Sequence, residues 1–259
     1  ARTRAGESRK CVATLSFSDE AGIAKTERQI SENLYHGLIQ FFQLFPELSG
    51  NGFFVAGESY AGKYVPALAD RIHRGNPDAV TKINMKGLAI GDGVVDPMPS
   101  SDRVAGEGEN DVFAIVKLLN RYLRRDDVQE QIHVNGIPYQ TCNSGYFLRQ
   151  YDWNTPVTPW VEELLDHYRV IYYHGKDDRR LNYTGTVKFA EKLVWNGFEK
   201  YRSAKWTEWT VKGADAGNLK TGGNLTVLLV NNARHMVPVF QPERALAMIN
   251  KFVEGEAFM

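Results

Sequence analysis

Phe53-Phe54-Val55-Ala56-Gly57-Glu58-Ser59-Tyr60-Ala61-Gly62 is the stretch on which the reading of this 259-residue chain turns. Phe53 to Ala56 reads as a buried strand and Lys63 to Arg74 as a helix, so Ser59 stands at a sharp strand-to-helix turn. Small residues at Gly57 and Ala61 let strand and helix approach closely. The Ser59 hydroxyl then projects beyond the carboxyl end of a sheet, next to the backbone N–H groups that open the helix. A serine so placed is either a nucleophile or an N-cap, and the strict nucleophile motif carries glycine where Ala61 stands.

The segments on either side supply the context that such a turn requires. Ile30, Leu34, Leu38, Phe41, Phe42 and Phe45 recur at helical spacing, predicting an amphipathic helix over 24–44 that ends near Pro46. Strands are predicted at 83–90, 169–173 and 225–231, with helices over 112–122, from about 126, and over 160–167, 186–195 and 242–253. Residues 205–212 alternate in polarity. Alternating strands and helices predict an α/β fold: a mostly parallel sheet with helices on both faces, in one domain spanning 1–259.

Composition removes several classes of function. Lys+Arg and Asp+Glu both number 31, and the basic cluster Arg121 to Arg125 is short, so no nucleic-acid partner is expected. The longest apolar runs, such as Thr226 to Val230, are far too short to cross a bilayer, so no membrane partner is expected either. Cys11 and Cys142 are too few for a structural zinc site, and no metal or cofactor is predicted. Sequence leaves open whether those two cysteines pair.

A serine nucleophile needs a base, and the base needs an orienting acid. In open α/β sheets active residues gather beyond the carboxyl ends of the strands, which puts the acid at Asp177 or Asp178, after the strand that closes on His174-Gly175. His235 follows the last strand. His36, His73, His133, His167 and His174 compete for the role of base, but the first two fall on predicted helices and His174 precedes the acid turn itself. The chain order Ser59, acid, His235 is that of the α/β-hydrolases rather than of chymotrypsin or subtilisin.

Gly57-Glu58-Ser59-Tyr60-Ala61-Gly62-Lys63-Tyr64-Val65-Pro66 resembles the nucleophile signature of the serine carboxypeptidases. The resemblance runs on through Ile90-Gly91-Asp92-Gly93, 122–134, Cys142-Asn143, 170–182, 223–230 and 235–242. It implies the α/β-hydrolase fold and a triad of Ser59, Asp178 and His235, with Asp178 rather than Asp177 matching the family's aspartate. It further implies an oxyanion donor in the N–H of Tyr60, and substrate binding by Glu58 and Met236. Glu58 would hold the substrate's terminal carboxylate through a shared proton, which favours acidic conditions. The implied partner is a peptide or protein with a free carboxy terminus. The implied setting is a lysosome, vacuole or the secretory pathway, consistent with the sequon Asn224-Leu225-Thr226; Asn182-Tyr183-Thr184 is also a sequon, but its expected place is beside the triad. A homodimer stays open.

The chain also departs from the family pattern. The family's opening strands and glycine-rich loop have no counterpart before about Ser16, and 97–111 reads as a loop left from a longer helical cap. Arg179 and Arg180 follow the aspartate where apolar residues are usual, Arg234 replaces a small residue, and Asn218 replaces a common tyrosine. The expectation is therefore a serine carboxypeptidase, present either as a fragment or as a truncated homologue. The alternatives are an inactive relative that binds rather than cleaves, and an acyltransferase on the same fold.

Overall fold

The computed structural model describes residues 10–13, 16–18, 24–95, 110–134, 139 and 155–258, which fall into two compact units. One unit holds a short antiparallel pair, β1 (Lys10–Ala13) and β2 (Ser16–Ser18), together with helices α3 (Asn110–Leu123) and α4 (Asp126–Gln131). Helix α3 starts at Asn110, so the loop expected over 97–111 is helical at its last two residues, and 97–109 lies outside the described residues. Cys11 sits in β1, whereas Cys142 lies outside the described residues.

The other unit is built on six strands: β3 (Phe53–Glu58), β4 (Met85–Gly91), β5 (Arg169–Gly175), β6 (Thr207–Val211), β7 (Ala214–Gly222) and β8 (Leu225–Val230). Their order is β3-β4-β5-β8-β7-β6, the first four parallel and the last two antiparallel. Strands β5 and β8 carry nearly unbroken apolar runs because both faces of a parallel sheet are covered. Val170, Tyr172, Val227 and Leu229 point to one face and meet α1 (Glu27–Leu44), α2 (Ala61–Gly75) and α5 (Thr158–Leu165) through Phe42, Ile72 and Leu164. Ile171, Tyr173, Leu228 and Val230 point to the other, against Ala245, Met248 and Phe252 of α9 (Pro242–Glu254). The period-two alternation of a strand thus fills two cores at once. Among the described residues no helix is long and apolar enough to cross a membrane.

Four elements of this unit differ from the sequence reading. Strand β7, Ala-Asp-Ala-Gly-Asn-Leu-Lys-Thr-Gly, has little strand propensity; it is extended because β6 and β8 pair with its two edges. Helix α6 (Tyr183–Ala190) starts three residues early, because the Asn182 side chain caps it by accepting from Thr184 N at 2.9 Å. It also stops early. Beyond it, Val194 N and Asn196 N donate to the carboxylates of Glu162 and Asp166 instead of continuing the helix. The short helices α7 (Phe198–Ser203) and α8 (Val237–Phe240) carry too few residues to show a period.

Helix α2 leaves β3 so tightly that two glycines become necessary. A Cβ at Gly57 would lie 2.5 Å from the Ala61 Cβ, which explains why alanine fits at 61: its methyl occupies the space that Gly57 leaves. At Gly62 a Cβ would meet the Val94 backbone, 2.2 Å from its carbonyl oxygen and 2.5 Å from its nitrogen. Backbone cannot yield as a side chain can. Gly62→Ala is expected to destabilise the protein by about 1–3 kcal/mol or more, read as a lowered urea midpoint with unchanged slope.

Candidate active site

Ser59 adopts φ +63°, a left-handed conformation that a residue with a Cβ rarely takes. It is held there from three sides: its N–H donates to Gly91 O at 2.8 Å, and its carbonyl accepts from Gly62 N and Val94 N, both at 3.0 Å. Strain of this kind persists only where the surroundings over-determine the backbone, and its effect is to hold the hydroxyl out beyond β3. Its Oγ lies 2.8 Å from His235 Nε2.

Strands β5 and β8 deliver the other two groups. Gly175 ends β5, and a side chain there would run into the carbonyls of Ala233 and Arg234, so glycine lets the two loops pass. Asp177 N donates to Ala233 O at 2.9 Å across that crossing. Asp178 is buried and Asp177 exposed. Asp178 Oδ2 accepts from His235 Nδ1 at 2.9 Å, while Oδ1 accepts from Arg180 N at 2.7 Å and Leu181 N at 3.1 Å. Of the two arginines that follow the aspartate, Arg180 meets it through its backbone N–H.

Beneath Asp178 lies a second histidine, which the sequence reading treated only as a rival base. His174 is fully buried, with Nε2 at 2.8 Å from Leu181 O and 3.2 Å from Asp178 Oδ2, and Nδ1 at 3.0 Å from Thr186 Oγ1. An Nε2–H shared between carbonyl and carboxylate, with the Thr186 hydroxyl donating to Nδ1, satisfies every polar atom. Burial pushes the Asp178 carboxyl up, but the bonds from His174 and His235 outweigh it and hold Asp178 well below the usual carboxylate range. It is a fixed anion.

Glu58, the last residue of β3, accepts from Val237 N at 3.0 Å and from the Tyr173 hydroxyl at 3.3 Å. Burial raises its pKa, against hydrogen bonds from Asp92, Val237 and Tyr173. Asp92, in the turn after β4, is raised well above the ordinary value, first by burial and then by the Asp178 and Glu58 charges. Its Oδ1 accepts from Gly175 N at 2.9 Å, but its buried Oδ2 meets no donor. The neighbouring Glu58 carboxyl adds to that rise. Asp92 was legible only as part of a turn. A helix-to-strand period does not show that its side chain points inward beneath Glu58.

The remaining expected residues are nearby in the fold. Tyr60, at the N-cap of α2, follows the nucleophile, and Met236, 37% exposed, caps α8 directly after His235. Arg234 lies over the Phe240 ring, and Asn218 accepts from Lys176 Nζ. His36 is exposed on α1, where it pairs with Glu32, and His73 and His167 lie together at α2 and α5; His133 lies just past α4 in the other unit. Donor atoms of Asp92, His174 and Asp178 lie within 4.8 Å of one another, but a metal there would displace the His235–Asp178 bond. Chemically, the set is a hydroxyl aligned on a base, a base aligned on an anion, and beside them a carboxyl pair whose affinity for a proton burial raises.

A family model described as serine carboxypeptidase matches residues 15–108 and 103–255. The chain belongs to the serine carboxypeptidase family. It is 33% identical to the venom serine carboxypeptidase of Apis mellifera, over 94% of this chain and 67% of the relative. It is 31% identical to the vitellogenic carboxypeptidase of Aedes aegypti, over 92% of this chain and 64% of that one. This serine carboxypeptidase homologue thus spans about two thirds of the length of the curated relatives it matches. Its fold is that of a prohormone-processing carboxypeptidase from Saccharomyces cerevisiae, with a TM-score of 0.72 at 17% identity, covering 92% of this chain and 70% of that structure.

The carboxyl pair makes a pH prediction for this family member. Groups whose folded pKa is raised bind more protons folded than unfolded, so their contribution is present below the unfolded values and is lost as pH rises toward the folded ones. Asp92→Asn keeps an acceptor for Gly175 N and supplies a permanent N–H donor to Glu58. Urea unfolding from pH 4.5 to 8 is expected to show a shallower loss of stability in the variant than in the wild type.

Proposed function

We propose that this chain carries the catalytic chemistry of a serine-type carboxypeptidase, releasing the terminal residue of a peptide whose carboxylate is free. The observation that carries this reading is the continuous hydrogen-bond chain from Ser59 Oγ through His235 to Asp178, with Glu58, its pKa raised by burial, beside it. Ser59 Oγ attacks the scissile carbonyl carbon as its proton passes to His235 Nε2, and Asp178 steadies the resulting imidazolium. The developing oxyanion takes the N–H of Tyr60, where the start of α2 also presents its positive dipole end. Collapse breaks the C–N bond, and His235 returns the proton to the departing amine. Water then attacks the acyl-enzyme by the same relay and frees Ser59.

Glu58 selects the substrate. A terminal carboxylate can sit against a second carboxyl only if a proton lies between them, and burial gives Glu58 a raised affinity for that proton. Met236, half-exposed beside His235, offers an apolar surface to the substrate's side chain. Passage through an exported or lysosomal compartment fits a family that includes a protein named for venom. Of the two sequons, Asn224 donates through its amide to Leu165 O at 2.8 Å and Asn182 caps α6, so both side chains already serve the fold.

Labelling with a fluorophosphonate is expected to place the adduct on Ser59, with none in Ser59→Ala; absence of label in folded protein sinks the proposal. Hydrolysis should require a free carboxy terminus, fail on the amidated peptide, and fall about 10⁴-fold in Asp178→Asn. Transfer to an added alcohol or amine in place of water would instead favour the acyltransferase. For the pH profile the sign is fixed by the raised Glu58: kcat/KM is expected to decline as pH rises through that group. Glu58→Gln, which holds a donor at all pH values, should lose that limb of the profile.

A further inference from the structure

His73 lies on the last turn of α2, and Glu163 and His167 stand four residues apart at the end of α5 and just beyond it. Their donor atoms converge on one point. His73 Nε2 and His167 Nε2 each lie 3.7 Å from Glu163 Oε1, and the three donor atoms all fall within 4.8 Å of one another. The two imidazole rings stack at 4.6 Å with their planes 30° apart. We propose that these three residues form a binding site for Zn²⁺ or a similar divalent transition metal, a site separate from the Ser59 centre and independent of the activity proposed for it.

Four features carry this. Two imidazoles and a carboxylate are a borderline donor set, suited to zinc rather than to calcium or magnesium, which prefer oxygen alone. Tetrahedral zinc with bonds of about 2.0–2.1 Å needs donor atoms ~3.4 Å apart, so small rotations of these side chains close the site. Second, His73 Nδ1 is bonded to the Tyr168 hydroxyl at 3.0 Å. That contact fixes the ring and leaves Nε2 for the metal, as outer hydrogen bonds do at established sites. Third, the His73 and His167 rings lie 4.6 Å apart with their planes 30° from parallel, so their Nε2 atoms approach the same Glu163 oxygen from neighbouring directions. Finally, the side chains of Glu163 and His167 are about half exposed and that of His73 about a quarter, which leaves an entry path and a fourth position for water.

The position in the fold gives the site a consequence. Helix α2 begins two residues after Ser59, and α5 leads into β5, which ends three residues before Asp178. A metal joining their far ends would clamp the two elements that carry nucleophile and acid. Stability is therefore the expected readout, with activity not needed to see it.

The test titrates Zn²⁺ into the chelator-treated chain. One equivalent is expected to bind and to raise Tm by about 5–10 °C at a free concentration 100-fold above its Kd. Co²⁺ in its place should give the visible absorption of a tetrahedral site, while Mg²⁺ and Ca²⁺ should give no shift. His167→Ala and Glu163→Gln, both at exposed positions, should lose the stabilisation and the Co²⁺ spectrum. His36→Ala, whose ring pairs with Glu32 elsewhere on the surface, should keep both. Uptake and stabilisation unchanged in His167→Ala and Glu163→Gln, an equal response to Ca²⁺, or no zinc uptake by the wild type would each overturn the proposal.

Discussion

Everything at the active end of this protein depends on the left-handed backbone of Ser59. A residue with a Cβ takes that conformation only at a cost of order 1–3 kcal/mol, and only where neighbours leave no alternative. Here they are Gly91, which accepts its N–H, and Gly62 and Val94, which donate to its carbonyl. The same turn brings α2 against the chain after β4 with no space for a side chain at Gly62. Release the turn and the hydroxyl would no longer point at His235. Strain at this point is offset by the close packing of strand and helix, which is why the short sequence around it is so restrictive.

Around that fixed serine the polar groups form two layers with opposite electrostatic character. Asp178 is an anion held by donors on every side, including the buried His174 that lies behind it. Beside it, Glu58 and Asp92 have more carboxyl oxygens than donors, so burial raises the proton affinity of both. Burial acts on all three carboxyls; what separates them is the number of donors each one meets. Groups pushed in opposite directions within one site are the means by which a fold assigns an anion's task to one carboxyl and a donor's task to another.

His73, Glu163 and His167 make a related point about distance in sequence. Nothing in the spacing of a histidine at 73 and a pair near 165 suggests a common site, and ligand searches by short motif pass over them. Two helices packed side by side on one face of the sheet bring them together. Glu163 and His167 share a helix face by their four-residue spacing alone, but half a site carries no chemistry.

The sequence by itself determined the elements with strong period and the residues with local signatures. The four parallel strands, the long helices α1, α2 and α9, and the turn at Ser59 were all legible, because each is encoded within one continuous stretch of residues. Tertiary structure decided what depends on pairing across the chain. It made a strand of Ala214–Gly222 by placing β6 and β8 on its edges, and it chose Asp178 over Asp177 by burying one and exposing the other. It also set His174 and Asp92 beneath the site, where only the crossing of β4 and β5 with their turns puts donor and acceptor within reach. Periodicity reports which face of an element is apolar; it carries no information on which polar atoms of distant elements will meet, since that is fixed by the packing of the whole sheet.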